Sequence, residues 1–456
     1  MRILLLLLLV SFSTIGQTQM ASVKTNLHKQ ERRHEAFMAS DSANSQLMVF
    51  MADKEHLKAL RFNRAVFFSD SLVTTRPARE FHAMEGYSFK GRNATVYYRD
   101  EWVNKIEAVN FDFEAKAVTK KQFKFTYGKN EDRMFTFSGN NSFYLLTLMP
   151  QGKLRFSIFN GTGYVDKTAD FSSFHIVGAD NKKTSLNYLI KEYGMQKIEA
   201  KTYNNLIEAG NKIKFYVLPD KMLLTLDNNP EFTQVFTIDP ETFEVTSKSI
   251  PQAGYEKEAD ANSYYFDGRL YRIVLKEDAI RLSALSLETG EELKSYTATK
   301  NEAIAFKNTP LYTERGVGAI ASELENTEKF LRKAKGEGAA ISVYGMRDGL
   351  LVTSGSVRTI TPAENLVVGI IVSGPDVEDV TDIRTTYFES LFDEQFVHKP
   401  GPTATLAIDA MGSFRRSNKS ASMHTIIPFK GYYIMGFYDK IIKSYVLSKY
   451  EDGNPE

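Results

Sequence analysis

The sequence predicts an all-β fold, and more narrowly a β-propeller of about seven blades, each a four-stranded antiparallel sheet. Three observations support this prediction: a strand–turn–strand motif recurs along the chain, one segment has the pattern of a complete blade, and the composition is rich in residues that favour strands. The number of blades is expected to lie between about six and eight, and one helical insertion is expected among them.

The recurring motif occupies residues 109–119 and returns 127 positions later at residues 236–246. Its turn carries Asp112 and Glu114 in the first copy, and Asp239 and Glu241 in the second. A step of 47 residues joins the turns near positions 242 and 289, and the same step joins those near 68, 115 and 162. At position 68 the turn is assigned to residues 69–71. The longer gap between 162 and 242 predicts either two shorter units or one unit with an insertion.

One complete blade is predicted over residues 263–297. Asp267 and Gly268 form a dipeptide suited to a tight hairpin, because both residues tolerate positive φ. After this turn, Tyr271, Ile273 and Leu275 share one side of a predicted strand. In the next strand Ile280, Leu282 and Ala284 alternate with the polar residues Arg281 and Ser283, as a half-buried strand requires. Four strands within about 40 to 50 residues is the size of one propeller blade.

The composition agrees with a large β domain. The 456 residues include 32 Phe and 23 Tyr, and 43% of the chain is hydrophobic, so a sizeable core can form. Aromatic residues fit the pleated surface of a sheet. Because each blade adds to the same assembly, a single domain of this length is acceptable, and we assign residues 45–450 to it.

The N-terminus predicts export from the cytoplasm. Arg2 precedes the apolar run Ile3–Val10, and small or polar residues follow at 11–16, so residues 1–19 are interpreted as a signal peptide. A membrane anchor would need about 20 apolar residues, roughly twice this run. Residues 20–44 are then a leader, either disordered or helical, and residues 451–456 are a tail.

Cysteine content and charge limit the location and the partners. The chain has no cysteine, which excludes a disulfide framework and cysteine ligands to a metal. The 57 basic and 56 acidic residues nearly balance, which argues against binding nucleic acid. No later segment is long enough to span a bilayer. We therefore expect a periplasmic or extracellular protein without a transmembrane segment in the mature chain.

One helix and one ring closure are predicted in the second half. Ser322 and Glu325 have the spacing of a capping box, which predicts a helical insertion over residues 322–335 that ends at Gly336. Strands are expected at 425–429, 432–437 and 443–447. The last of these is predicted to close the ring by pairing near Leu47–Met51, which would remove an exposed sheet edge.

No catalytic, cofactor-binding or metal-binding residue is assigned from the sequence. The seven histidines lack metal-ligand spacing, and no nucleophile elbow or phosphate-binding loop is present. The motif carboxylates, Asp112 with Glu114 and Asp239 with Glu241, are best explained as turn residues, although a glycosidase pair is an alternative. A dense acidic stretch offers a weaker alternative, a calcium site. It comprises Asp376, Glu378, Asp379 and Asp382.

Two blocks in the C-terminal third resemble segments of uncharacterised secreted β-propeller-like proteins of bacterial cell envelopes. The first runs from Asn308–Pro310 into Phe330–Lys333, and the second is Tyr387–Asp393. The resemblance implies a similar fold and cellular location. It implies no activity, because no catalytic residues are known for that group.

Three functions are compatible with the sequence. The favoured one is a non-catalytic binding or scaffolding protein of the bacterial envelope, whose propeller loops meet a protein or glycan partner and which needs no cofactor. The second is a carbohydrate-active enzyme, which requires carboxylates with shifted pKa values at one mouth of the channel. The third is a subunit of an outer-membrane-associated assembly, which would show a large apolar patch.

Overall fold

The computed structural model describes residues 18–28, 31–252, 259–316, 320–359 and 383–453. Within these ranges the chain folds into seven sheets of four or five strands and one short two-stranded sheet. The seven larger sheets are the blades of a β-propeller. The innermost strands of neighbouring blades pack against each other, for example between the seventh and first blades and between the fifth and sixth. These strands therefore surround the centre of the ring.

The first three blades are regular, with strands that follow one another in sequence. The strands of the first blade are β2 (Glu35–Asp41), β3 (Gln46–Ala52), β4 (His56–Phe62) and β5 (Phe68–Thr75). Those of the second are β6 (Phe81–Lys90), β7 (Asn93–Asp100), β8 (Lys105–Asp112) and β9 (Ala117–Lys124). Those of the third are β10 (Asp132–Gly139), β11 (Ser142–Met149), β12 (Lys153–Asn160) and β13 (Gly163–Asp170).

An insertion separates the third blade from the fourth. It contains β14 (Ile176–Val177), β15 (Lys183–Thr184), helix α1 (Leu186–Tyr193), β16 (Gln196–Ile198) and helix α2 (Leu206–Ala209). The fourth blade continues with β17 (Ile213–Val217), β18 (Met222–Leu226), β19 (Phe232–Ile238) and β20 (Val245–Pro251). Because β16 adds to β17 in parallel, this blade has five strands. The predicted gap between positions 162 and 242 is thus one unit with an insertion.

The fifth blade is the one that the sequence predicted most completely. Its strands are β21 (Asp260–Phe266), β22 (Arg269–Leu275), β23 (Ala279–Ser286) and β24 (Glu292–Thr299). Asp267 and Gly268 lie between the first two strands with φ angles of 45° and 77°, as a type I′ turn requires.

The sixth blade is the least regular. Its strands are β25 (Leu311–Arg315), β26 (Ser322–Leu324), β27 (Gly338–Met346), β28 (Gly349–Thr359) and β29 (Ile383–Phe392). Strand β25 comes first in the sequence of this blade, but it pairs with β29 and so lies on the outer side of the sheet. The inner strands are β27 and β28. Helix α3 (Thr327–Ala334) joins β26 to β27.

The seventh blade is shared between the two ends of the chain. Helix α4 (Ala407–Ser417) leads into β30 (Ala421–Phe429), β31 (Tyr432–Asp439) and β32 (Ser444–Tyr450). The fourth strand is β1 (Thr18–Lys24), which pairs antiparallel with β32. The two ends of the chain therefore close the ring, as predicted, but the predicted partner strand was wrong. Leu47–Met51 lies in β3, which already pairs with β2 on one side and β4 on the other.

Two further predictions for the chain ends and the insertion need correction. Residues 20–44, for which disorder or a helix was expected, contain the end of β1, the short 3₁₀ helix Glu31–Arg33 and β2. The helix predicted over 322–335 begins only at Thr327, because Ser322 pairs with Thr313 in a strand and Asn326 caps the helix instead. The described residues also hold three further α-helices, α1, α2 and α4.

Most of the predicted turns occupy equivalent places. Those near positions 115, 162, 242 and 289 all join the last two strands of a blade. The assignment at residues 69–71 was wrong, since these residues lie inside β5 and the corresponding connection is Asn63–Phe67. Aromatic contacts between adjacent blades complete the core, such as Phe50 with Phe111 at 5.7 Å and Phe137 with Phe215 at 5.8 Å between ring centroids.

Candidate functional site

The carboxylates of the repeated motif are turn residues in the structure. Asp112 Oδ1 accepts hydrogen bonds from the backbone N–H groups of Glu114 and Ala115 at 2.9 and 2.8 Å. Asp239 Oδ1 accepts the equivalent bonds from Glu241 and Thr242 at 2.9 and 2.8 Å. These bonds hold the pKa of Asp239 below its usual value. These backbone hydrogen bonds confirm the interpretation of Asp112 and Asp239 as turn residues.

The predicted calcium ligands fall outside the described residues. Asp376, Glu378, Asp379 and Asp382 all lie in the range 360–382. Among the residues that the structure describes, no group of three or more histidines or carboxylates is placed to hold a metal ion.

A short segment of the insertion lies at the centre of the ring. We call residues 196–210 the central segment; it comprises β16, α2 and the loop between them. The Asn204 amide donates to the Tyr264 hydroxyl of the fifth blade at 3.0 Å, and the Ser342 hydroxyl of the sixth blade donates to the Asn204 carbonyl at 2.6 Å. The Tyr203 N–H donates to the Tyr433 hydroxyl of the seventh blade at 3.1 Å. One segment thus contacts several blades, and the centre of the ring is occupied.

The central segment carries a buried carboxyl group. Glu208 is 7% exposed, and burial together with the charge of Glu199 raises its pKa to about 8, despite the opposing effect of Lys197. The side chain is therefore mostly protonated at neutral pH.

Further carboxylates lie in the sixth blade and at its contact with the seventh. The Tyr387 hydroxyl donates to Glu314 Oε1 at 2.7 Å, and the Tyr344 hydroxyl donates to Asp452 Oδ2 at 2.6 Å. Nearby, burial and the charge of Asp409 raise the pKa of Glu389 to about 7.

Asp409 is an exposed residue in the first turn of α4. Partial burial of its carboxyl group raises the pKa of Asp409 as well. Carboxylates with raised pKa values are a feature of sites that transfer protons. This pair was not predicted from the sequence, because Glu389 and Asp409 come from different elements and carry no motif.

A cavity of about 110 Å³ lies between the second and third blades. Its wall on the second blade is the segment 124–127, which begins at the last residue of β9. Its wall on the third blade is one face of the sheet, with Leu145, Thr147, Arg155, Ser157, Tyr164 and Asp166. These six residues share a face because Thr147 pairs with Arg155, Leu145 with Ser157, and Ser157 with Asp166 across the strands.

The polar groups of the cavity are held in fixed positions, with one exception. Arg155 forms two hydrogen bonds with Glu131, at 3.3 and 3.1 Å, and the Ser157 hydroxyl donates to Asp166 Oδ1 at 2.6 Å. The Thr147 hydroxyl, on a residue that is 1% exposed, has no hydrogen-bond partner among the described residues. This polar face was not predicted from the sequence. The signal that could have revealed it is the alternation of Arg155 and Ser157 with apolar residues along β12.

No protein-family model matches the chain, and no curated protein matches it significantly. Solved structures with a similar fold include the WD40 domain of SCAP from fission yeast, which is 11% identical with a TM-score of 0.30 over 93% of this chain and 85% of that one. The Nup133 β-propeller domain of Vanderwaltozyma polyspora is 11% identical with a TM-score of 0.33 over 95% and 97% of the two chains.

A third similar structure is the dihydro-heme d1 dehydrogenase NirN in complex with DHE, which is 10% identical with a TM-score of 0.31 over 96% of this chain and 78% of that one. At these identities and TM-scores the matches support no conclusion about the function of this chain.

Proposed function

We propose that this chain is an exported, non-catalytic binding or scaffolding protein of the bacterial envelope, which presents its surface to a protein or glycan partner. The observation that supports this most is the central segment. Because Tyr203 and Asn204 are bonded to surrounding blades, the centre of the ring serves to hold the blades together. Binding then falls to the hairpins and to the clefts between blades.

Export is supported by the apolar run Ile3–Val10. No helix in the described part of the chain is long and apolar enough to cross a membrane. Thr18 and Gln19 already pair with Lys449 and Ser448. We therefore expect cleavage just after Gly16, which leaves β1 whole, rather than after Gln19. Mass spectrometry of the N-terminus from a bacterial envelope fraction tests this, and an uncleaved cytoplasmic product would contradict export.

The binding role is tested by incubating the immobilised mature protein with solubilised envelope proteins and, separately, with insoluble envelope polysaccharide. We expect one stoichiometric protein partner or specific retention on the polysaccharide. Recovery in a stable multi-protein complex would favour the outer-membrane assembly. Retention of neither class of partner would contradict the proposal.

A carbohydrate-active enzyme is the second candidate, because Glu389 and Asp409 both have raised pKa values. Hydrolysis of a panel of chromogenic glycosides distinguishes the two functions. A binding protein gives no turnover, whereas an enzyme of this kind loses its turnover in both Glu389→Gln and Asp409→Asn and shows a rate that depends on a group of pKa about 7.

A further inference from the structure

We propose that the cavity between the second and third blades binds one neutral sugar ring of a glycan. This inference rests on the proposed binding function and names the ligand class and the site. The cavity is small, about 110 Å³, whereas sites for drug-sized ligands have volumes of roughly 300 to 1,000 Å³. A cavity of this size receives part of one saccharide ring, with the rest of the glycan extending into solvent.

The Thr147 hydroxyl, which lacks a hydrogen-bond partner among the described residues, indicates that the ligand is polar. This group lies on the wall of the cavity, is buried, and has no hydrogen-bond partner among the described residues. Among the described residues, fourteen buried side-chain atoms have no hydrogen-bond partner, and the Thr147 hydroxyl is the one that lines this cavity, where a ligand can supply the partner. A sugar hydroxyl can both donate and accept, and it satisfies Thr147 in either role.

The charges around the cavity favour a neutral ligand over an ion. Arg155 and Lys124 contribute positive charge to the wall, and Asp166 contributes negative charge. Arg155 is already neutralised by Glu131. The charges left over are those of Asp166, which repels an anion, and Lys124, which repels a cation. A neutral ligand rich in hydroxyl groups can bond to both kinds of side chain.

The aromatic residues of the cavity supply a surface for the apolar face of a sugar ring. Tyr164 is 40% exposed, and its ring lies 5.6 Å from that of Phe125 on the opposite blade. Stacking on Phe159, at 5.1 Å between centroids, fixes the orientation of Tyr164. A rigid aromatic ring binds a ligand at little cost in side-chain entropy.

The only tryptophan of the chain is suitably placed to report binding. Trp102 is 63% exposed and lies in the loop between β7 and β8. This loop is bonded to the cavity wall, because the Tyr127 hydroxyl donates to the Val103 carbonyl and the Phe125 N–H donates to the Asn104 carbonyl, at 3.0 and 2.8 Å.

The experiment titrates the mature protein with methyl glycosides of neutral hexoses and N-acetylhexosamines. Trp102 fluorescence is the first measurement, and calorimetry is the second, since it does not depend on the position of Trp102. Inorganic phosphate and acetate serve as anion probes. We expect at least one glycoside to bind with a dissociation constant on the order of 1 mM, as is reasonable for a single small ring, and neither anion to bind.

Three variants test the site. Tyr164→Ala removes the aromatic wall and Thr147→Val removes the buried hydroxyl, and each is expected to weaken binding by about tenfold. Val165→Ala is the matched control, because Val165 is 58% exposed and adjoins Tyr164 on the same strand but lies on its other face. Thr147→Val is expected to be at least as thermally stable as the wild type without ligand, because it removes an unpaired buried group.

The possible outcomes separate this site from the wider function. Binding that Val165→Ala preserves and the other two variants weaken supports the site. Absence of glycoside binding up to a concentration of about 100 mM, far above the dissociation constant expected for a small ring, overturns the proposed sugar site. So does binding of phosphate alone, or glycoside binding that the three variants leave unchanged. Capture of an envelope partner by a protein that binds no glycoside would leave the binding function intact and remove only the sugar site.

Discussion

At the scale of single residues, the most consequential interaction is a fully buried ion pair within the fourth blade. Lys214 Nζ lies 2.9 Å from Asp227 Oδ2, and neither side chain is exposed. Asn262 Oδ1 accepts a further bond from Lys214, and the Asn262 amide donates to the carbonyls of Gly210 and Ala339. The network therefore joins the fourth, fifth and sixth blades to the end of the central segment.

We predict that Lys214→Met lowers the free energy of unfolding by roughly 3 to 5 kcal/mol, because it leaves Asp227 charged and unpaired in the interior. The double variant Lys214→Met/Asp227→Leu should recover much of this loss, since it removes both charges. Urea denaturation followed by circular dichroism measures both effects. Lys182→Met is the control, because Lys182 pairs with Asp180 on the surface and its side chain is 83% exposed. An equal loss in the control would contradict the prediction.

Glu208 makes stability depend on pH in the opposite direction from a surface carboxylate. Burial raises its pKa to about 8 in the folded protein, above the ordinary value of 4.5. The folded state therefore binds the proton more tightly than the unfolded state. This contribution to stability is present below about pH 4.5 and is lost as the pH rises towards 8.

We predict that Glu208→Gln stabilises the protein at pH 8 by a few kcal/mol, since each pH unit between the two pKa values corresponds to about 1.4 kcal/mol. The gain should shrink as the pH falls and vanish near pH 4.5. Thermal unfolding across this pH range provides the measurement. Glu241→Gln, on an exposed turn, should follow the wild type at every pH. A gain from Glu208→Gln that does not vary with pH would show that Glu208 is not the titrating group.

At the scale of elements, the repeated turns of the second and fourth blades explain why the motif was visible in the sequence. Asp112 and Asp239 each accept two backbone hydrogen bonds within their own turn. The requirement is local, so the same residue recurs wherever the last two strands of a blade need the same connection.

We predict that Asp239→Ala lowers the melting temperature by about 1 to 2 °C, because two backbone N–H groups lose their acceptor. Asp239→Asn keeps an oxygen at this position and should retain the wild-type value. Differential scanning calorimetry compares the two variants. Equal melting temperatures for Asp239→Ala and Asp239→Asn would show that the side-chain bonds do not stabilise the turn.

Elements set by local chemistry were predictable, and those set by distant contacts were not. The turn at Asp267 and Gly268 depends on two residues, and it was found. The start of α3 was misplaced, because the pairing of Ser322 with Thr313 overrides its capping-box pattern. The cavity and the Glu389 and Asp409 pair depend on how blades meet. Only the polar alternation along β12 left a trace of them in the sequence.

At the scale of the whole molecule, one strand from the N-terminus completes the ring. The register of β1 and β32 runs from Thr18 opposite Lys449 to Lys24 opposite Ser444. Without β1, strand β32 would present an unpaired edge. Closure and the central segment act together, because β1 joins the ends of the chain while residues 196–210 connect the blades from within.

Hydrogen–deuterium exchange of Ser444–Tyr450 tests ring closure by the two chain ends, when it is compared between a form of the protein that begins at Thr18 and one that begins at Thr25. We predict that exchange in this strand is slow in the longer form and at least tenfold faster in the shorter one, because the shorter form lacks the pairing partner. Equal exchange rates in the two forms, with β1 opening independently of β32, would contradict a ring closed by the two ends of the chain.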